Sequence, residues 1–230
     1  MIPKWLTALH QFFFPQVCVV CYDLLKRSEE SICLICEASI PILPYKFGDG
    51  NPIEQLFYSR VSLKGANAFL SFIDAGRTQK MIHAIKYQNR TELAYLLGKM
   101  AAENILVDSP YFKPDVIIPV PLHQSKLLKR GFNQSDFIAI GMANTLNSSI
   151  DTTSIKRVVA TSSQTKKSRK ARVKNVMGIF EVLSPINIKD RTILVIDDVI
   201  TTGATIDSLC TEIQKYQPHE IYVYALAYKT

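Results

Sequence analysis

The sequence predicts an α/β protein: a mostly parallel sheet flanked by helices, joined to a small N-terminal lobe built around four cysteines. Three observations support this fold class. The apolar run Ile193–Ile196 has the composition of a strand that is buried on both faces. Other strand-like segments alternate with helical ones along the chain, which is typical of a parallel sheet with crossover helices. Two Cys-x-x-Cys pairs lie near the N-terminus, with a spacing typical of metal sites.

The overall composition is that of a globular protein. Of the 230 residues, 47% are hydrophobic and 20% are charged, so the chain can bury a full core and still carry an appendage. No apolar run approaches the roughly 18 residues that span a bilayer, and the first residues lack the long apolar segment of an export signal. We therefore expect no membrane span and a cytoplasmic location.

The first predicted element is a helix over residues 2–14, whose apolar residues fall on one face. A helix lying on a membrane surface would give this pattern. The opposite face carries few cations, which favours a helix docked on its own protein. The apolar residues are Ile2, Trp5, Leu6, Leu9 and Phe13.

The two cysteine pairs follow this helix. Cys18 and Cys21 are separated by eleven residues from Cys33 and Cys36, so four thiolates are available to close a tetrahedral site. Sulfur ligands favour zinc, and the cytosol does not maintain a disulfide framework. A structural zinc ion is predicted, and a redox pair is the alternative.

The middle of the chain begins with a connector. Prolines and glycines interrupt residues 37–60, and a short strand is predicted at Phe69–Ile73. Helices are predicted over Arg77–Tyr87 and Leu93–Ile105 from their apolar periodicity. We divide the chain into a zinc lobe with its N-terminal helix (1–40), a connector (41–75) and the main α/β domain (76–230).

A second buried strand begins at Val116 and is stopped by Pro119 and Pro121. The loop predicted after it carries three cations, which suit a pyrophosphate group. Asn133 or Ser135 is placed to cap a helix that runs to about Leu146. The three cations are Lys126, Lys129 and Arg130.

The positive charge of the chain is concentrated in one segment. Between Lys156 and Lys174 there are eight Lys or Arg and no acid, against a net charge of +7 for the whole chain. A polyanion partner and a plain solvated surface are the two interpretations. Strands are predicted at Ile155–Ala160 and Gly178–Val182, a helical turn at Arg172–Val176, and a mobile stretch at Thr161–Lys170, which has no apolar anchor.

The central strand leads into a polar turn and a helix. Asp197 and Asp198 follow the apolar run, and a helix is predicted from the spacing of Ile206, Leu209 and Ile213. Backbone N–H groups at a helix start favour an anion, and threonine hydroxyls can donate to phosphate oxygens. The two carboxylates would then face ribose hydroxyls or a divalent cation. The alternative is that the threonines only cap the helix. A last strand is predicted at Ile221–Ala227.

This turn resembles the phosphoribosyl-pyrophosphate (PRPP) loop of type I phosphoribosyltransferases. Across nearly its full length the chain is similar to the ComF family of competence proteins, also called amidophosphoribosyltransferase-like. Beside the loop and the cysteines, the resemblance depends on three motifs: Ile85-Lys86-Tyr87, Ile118-Pro119-Val120-Pro121-Leu122-His123 and Arg130-Gly131-Phe132-Asn133-Gln134-Ser135.

The resemblance implies a zinc finger joined to a type I phosphoribosyltransferase fold that binds PRPP with Mg²⁺. Residues 41–75 and the zinc lobe take the place of a base-binding hood. The implied catalytic residues are Asp197 and Asp198. The implied phosphate-binding residues are Val199, Thr201, Thr202, Gly203, Ala204 and Thr205. The implied pyrophosphate and flexible-loop residues are Val120, Pro121, Leu122, His123, Arg130, Lys166 and Arg169.

The resemblance also implies a role in natural transformation, in which the protein handles incoming single-stranded DNA in the cytoplasm with other competence proteins. We expect PRPP and DNA to compete for the same cations. The alternative is an active enzyme that transfers phosphoribose from PRPP to an unidentified acceptor and releases pyrophosphate. A scaffold protein that binds partners through its zinc lobe is a third alternative. No cysteine stands at position 1 or 2, so glutamine hydrolysis is not expected.

Overall fold

The computed structural model describes residues 15–159 and 178–229. Its centre is a five-stranded parallel sheet in the order β1-β7-β6-β2-β3, and two further strands, β4 and β5, form a separate antiparallel pair. The predicted fold class is confirmed. The strands are β1 (Gly65–Ser71), β2 (Val116–Pro119), β3 (Ser149–Ile150), β4 (Ile155–Arg157), β5 (Phe180–Val182), β6 (Thr192–Ile200) and β7 (Glu220–Tyr228).

Helices cover both faces of the sheet. The described ones are α1 (Leu34–Ala38), α2 (Pro52–Gln55), α3 (Arg77–Tyr87), α4 (Thr91–Asp108), α5 (Gln124–Arg130), α6 (Gln134–Leu146) and α7 (Ala204–Gln214). None of the described helices is long and apolar enough to cross a membrane. The predicted N-terminal helix lies outside the described residues.

The sheet separates two hydrophobic clusters because side chains alternate along each strand. Leu194 and Ile196 of β6 pack on one face with residues of α3, α4 and α6. Val195 packs on the other face with residues of α7 and β5. Both faces of β6 are therefore buried, as the apolar run predicted.

Three sequence predictions were wrong in detail. The segment after Pro121 was expected to be a loop, but residues 124–130 form α5, which is capped at its start by His123. β1 begins four residues before the predicted Phe69, because Gly65–Ala68 pair with β7. The predicted connector contains α2, whose start is capped by the side chain of Asn51.

Candidate functional site

The candidate site lies where β2 and β6 end side by side. The chain leaves β2 toward β3 and leaves β6 toward β7, so the strand order reverses between them. Crevices at such reversals are the usual ligand sites of open parallel sheets. The last bond between the strands runs from the Val120 N–H to the Ile196 carbonyl at 2.8 Å. Pro121 has no N–H group, so the pairing stops while β6 continues to Ile200.

The two aspartates of β6 occupy opposite faces of the sheet, because adjacent residues in a strand point in opposite directions. Asp198 is buried on the face of α3 and α6. Its Oδ2 lies 2.9 Å from Lys86 Nζ and accepts a hydrogen bond of 2.5 Å from Gln134 Nε2. Asp198 therefore ties the end of α3 and the start of α6 to the central strand.

Asp197 lies on the other face and is partly accessible. Burial and the neighbouring Asp198 charge raise the pKa of Asp197 above its ordinary value, while Lys86 and Arg157 oppose that rise. The backbone N–H of Asp198 donates to Asp197 Oδ1 at 2.8 Å. Among the described residues, Asp198 has an ion pair with Lys86, whereas Asp197 has none.

The predicted phosphate-binding residues form the turn from β6 to α7. Gly203 adopts a φ of +73°, and a Cβ there would lie 2.9 Å from the Phe57 ring, so both the conformation and the space require glycine. Thr201 and Thr202 are exposed. The N–H groups of the first turn of α7 have no partner within the helix, which makes the turn a suitable anion site. Val199, Ala204 and Thr205 flank it.

The predicted pyrophosphate residues Val120, Pro121, Leu122 and His123 connect β2 to α5. His123 ends this turn, and its Nδ1 accepts a hydrogen bond of 3.2 Å from the Ser125 N–H. The backbone of His123 also forms an isolated parallel β-bridge with Arg157 of β4. The turn therefore lies beside a cationic side chain that interacts with Asp197. Lys166 and Arg169 of the predicted flexible loop lie outside the described residues.

Four cations converge around this turn. The pKa of Lys126 is lowered by its partial burial and by the charges of Arg157, Arg130 and Lys86, with Asp198 opposing. A bound anion would offset the repulsion that these neighbouring charges exert on the Lys126 ammonium group. The sequence indicated Lys126 and Arg130 as candidates, whereas the site roles of Lys86 and Arg157 emerge only from the fold.

The segment Arg130–Ser135 gives the site its local geometry. Arg130 ends α5, and Gly131 takes a left-handed conformation. Of the two predicted caps, Asn133 and Ser135, it is Asn133 that caps α6. Asn133 Nδ2 also donates to the Val120 carbonyl at 3.2 Å. The segment thus fixes Gln134 next to Asp198. In the sequence, Gln134 is recognisable only as part of a motif, and its contact with Asp198 could not be predicted.

The four predicted metal ligands form a second candidate centre. The Sγ atoms of Cys18, Cys21, Cys33 and Cys36 lie within 4.8 Å of one another, and those of Cys21 and Cys33 are 3.7 Å apart. A tetrahedron with Zn–S distances of about 2.3 Å has its sulfurs about 3.8 Å apart, so the cluster can hold a zinc-sized ion. The N–H groups of Val20 and Cys33 lie 3.4 Å from Cys18 Sγ, as expected around a metal-bound thiolate.

Comparison with known proteins shows the family of the chain. Residues 102–230 match the family model described as phosphoribosyl transferase domain. The DNA utilization protein YhgH of Salmonella typhimurium is 32% identical over 129 residues, which are 55% of this chain and 56% of that protein. The match therefore spans about half of that relative's length.

Two further proteins extend the comparison. Competence protein F of Haemophilus influenzae is 26% identical over 226 residues, which are 94% of this chain and 98% of that protein. This match confirms the resemblance to competence proteins along nearly the whole chain. A purine phosphoribosyltransferase from Pyrococcus horikoshii aligns with 59% of this chain and 85% of its own, with 17% identity and a TM-score of 0.39.

Proposed function

The chain belongs to the phosphoribosyl transferase domain family, and we propose that it binds PRPP with Mg²⁺ between β2 and β6 and serves DNA utilisation in natural transformation. The observation that supports this most is the combination of an anion-binding turn at the start of α7 with four cations across the crevice. PRPP carries a monophosphate at one end and a pyrophosphate at the other, so it needs two such anion sites.

The ligand groups can be assigned by chemistry. The turn Thr201–Thr205 suits the 5-phosphate, since it offers N–H groups and hydroxyls. The cations near Val120–His123 suit the pyrophosphate. Asp197 lies between these sites along the chain and suits the ribose hydroxyls or the Mg²⁺ that accompanies PRPP. The magnesium ion would neutralise pyrophosphate charge, and the cysteine centre would hold zinc as a structural ion.

The DNA role is supported by the names of the relatives, DNA utilization protein and Competence protein F. We propose that this chain handles incoming single-stranded DNA in the cytoplasm and works with other proteins of the competence machinery. The cations beside the crevice would neutralise DNA phosphates. Because the same cations serve pyrophosphate, PRPP and DNA should weaken each other's binding.

A catalytic role is the second candidate, and a cavity next to the pyrophosphate turn favours it. The cavity measures about 330 Å³, within the size range of small-molecule sites, and Pro121, Asn133, Asp136 and Arg157 contribute to its lining. An acceptor bound there would lie beside the crevice. The reaction would form a bond from the acceptor to the anomeric carbon of PRPP and break the bond to pyrophosphate.

The test is PRPP binding by aspartate variants, measured by calorimetry with Mg²⁺ present. We expect Asp197→Ala combined with Asp198→Ala to abolish PRPP binding while the zinc content stays the same. Asp197→Asn alone should weaken binding, because the carboxylate charge is lost but the packing is kept. Asp74→Asn is the matched control, since Asp74 is a surface residue paired with Lys229. Unchanged PRPP affinity in the double variant would disprove the proposed site.

A further inference from the structure

An exposed aromatic side chain stands next to the crevice without an evident role in folding. Tyr87 is the last residue of α3 and is 69% exposed. The residues that α3 buries are Thr78, Met81, Ile82, Ala84 and Ile85, and Tyr87 belongs to neither hydrophobic cluster of the described residues. Leaving so much apolar ring surface in water is unfavourable, so a contact outside the core would stabilise it.

Tyr87 has two close neighbours, His83 and Arg130, and these three side chains form a cluster. The ring of His83, one helical turn earlier, lies 4.8 Å from the Tyr87 ring, with 45° between the planes. The guanidinium of Arg130 lies 5.8 Å from the Tyr87 centroid, within cation–π range. Aromatic rings and arginine side chains are the groups on which proteins hold unpaired bases.

This cluster is connected to the crevice through side-chain contacts. Arg130 Nη1 donates to Gln134 Oε1, and Gln134 in turn donates to Asp198. Lys86, which precedes Tyr87, pairs with the same Asp198 oxygen. A base bound on this cluster would therefore have its neighbouring phosphates close to the cations that surround the PRPP site.

We infer that Tyr87, His83 and Arg130 form a stacking platform for one base of single-stranded DNA, whose neighbouring phosphates contact the cations of the crevice. This inference rests on the proposed DNA function and names the contact by which DNA is held. Every base has a π-face, so the platform accepts strands without regard to sequence. Duplex DNA does not fit it, because its bases are already stacked.

Fluorescence anisotropy with two labelled strands of about 12 nucleotides, oligothymidylate and an abasic strand of equal length, tests the platform. Tyr87→Ala should weaken oligothymidylate binding by about 5-fold or more, because base–aromatic stacking is worth about 1–3 kcal/mol. Binding of the abasic strand should stay the same, since it offers phosphates but no base. Tyr87→Phe should keep wild-type affinity because the ring remains.

Tyr111→Ala is the matched control. Tyr111 is 98% exposed, but it lies in the segment between α4 and β2, before the amino-terminal end of β2, whereas the crevice lies at the carboxyl end of that strand. The Tyr111→Ala variant should bind both DNA strands with the affinity of the wild type. Equal losses for both strands in Tyr87→Ala, or no loss for oligothymidylate, would overturn the platform while the DNA role remains. A wild-type protein that binds neither strand would overturn the DNA role and the platform together.

Discussion

At the scale of single residues, Asp136 is a carboxyl group whose pKa differs from its ordinary value. It lies in the first turn of α6 and lines the cavity beside the pyrophosphate turn. Burial raises the pKa of Asp136 to about 6, although Asn133 Nδ2 donates to its Oδ1 at 2.6 Å and lowers it. The folded state therefore favours the protonated carboxyl group.

This shift predicts a pH-dependent stability. Because the pKa of Asp136 is higher in the folded protein, its contribution is fully present below about pH 4 and is lost as the pH rises through about 6. Asp136→Asn removes this titration. Compared with the wild type, the variant should become more stable by about 1 kcal/mol between pH 5 and 7.5, since solvent screens part of the charge.

Urea unfolding of the two proteins at both pH values measures that difference. Effects of pH on the zinc centre are common to both proteins and cancel in the comparison. A difference in unfolding free energy that stays constant across this range would show that Asp136 titrates normally.

The site residues that the sequence could predict are those in short motifs, where residues close together in the chain contribute to the same site. The four cysteines and the turn Thr201–Thr205 are short-range patterns, and the structure brings each set together. Lys86 and Gln134 could not be assigned in this way, because their common partner Asp198 is distant in sequence. The separation of Asp197 from Asp198 follows from strand geometry once β6 is known to continue through both residues.

At the scale of elements, the turn from β6 to α7 depends on one backbone conformation. Gly203 combines a positive φ with close contact to the Phe57 ring of the segment after α2. Gly48 has a similar φ of +81°, but a Cβ there would meet nothing within 4 Å. Alanine substitutions at Gly48 and Gly203 therefore separate the free-energy cost of the left-handed conformation from the cost of the contact with Phe57.

We predict that Gly48→Ala costs about 1–2 kcal/mol of folding free energy, which is the penalty of the left-handed conformation. Gly203→Ala should cost more and should also weaken PRPP binding at least 10-fold, because the turn must move to clear Phe57. Chemical denaturation and PRPP titration of both variants check this. Equal losses of folding free energy in the two variants, together with unchanged PRPP affinity in Gly203→Ala, would contradict the role of the turn in PRPP binding.

The elements that the sequence predicted well are those with strong periodicity or clear caps. The bounds of α3 match the prediction, and α6 starts after the predicted cap Asn133. The sequence does not predict α5, because five of its seven residues are polar or charged and leave no apolar stripe, and none of its residues is buried. β3 is only two residues long and leaves no pattern.

At the scale of the whole molecule, the cysteine centre is packed against the α/β body. Cys18, Cys33 and Cys36 share a hydrophobic cluster with Met81 and Ile85 of α3. Lys80 Nζ, also on α3, donates to the Val20 carbonyl at 2.8 Å. Since α3 ends at Lys86 and Tyr87, the cysteine centre packs against the helix that reaches the crevice.

We predict that Cys33→Ser combined with Cys36→Ser releases zinc, because two ligands cannot close the site, and lowers the melting temperature. Metal analysis and thermal unfolding measure the two effects. Cys210→Ala is the control, since this buried thiol lies in the opposite cluster and outside the cysteine centre. It should keep the metal. A double serine variant with full zinc content or unchanged stability would disprove the structural role of the centre.

The fold class could be predicted because it depends on repeated patterns, namely buried strands, amphipathic helices and paired cysteines. The strand order could not, because it depends on which strand edges meet after the chain has folded. That order is what places the end of β2 beside the end of β6 and so creates the crevice.

The central claim is that this crevice binds PRPP, and calorimetric titration of the wild-type protein with PRPP and Mg²⁺ tests it most directly. The account predicts saturable binding that requires Mg²⁺ and becomes weaker when oligothymidylate is present. Binding that is indifferent to DNA would favour the catalytic alternative. A titration that shows no PRPP binding would contradict the central claim.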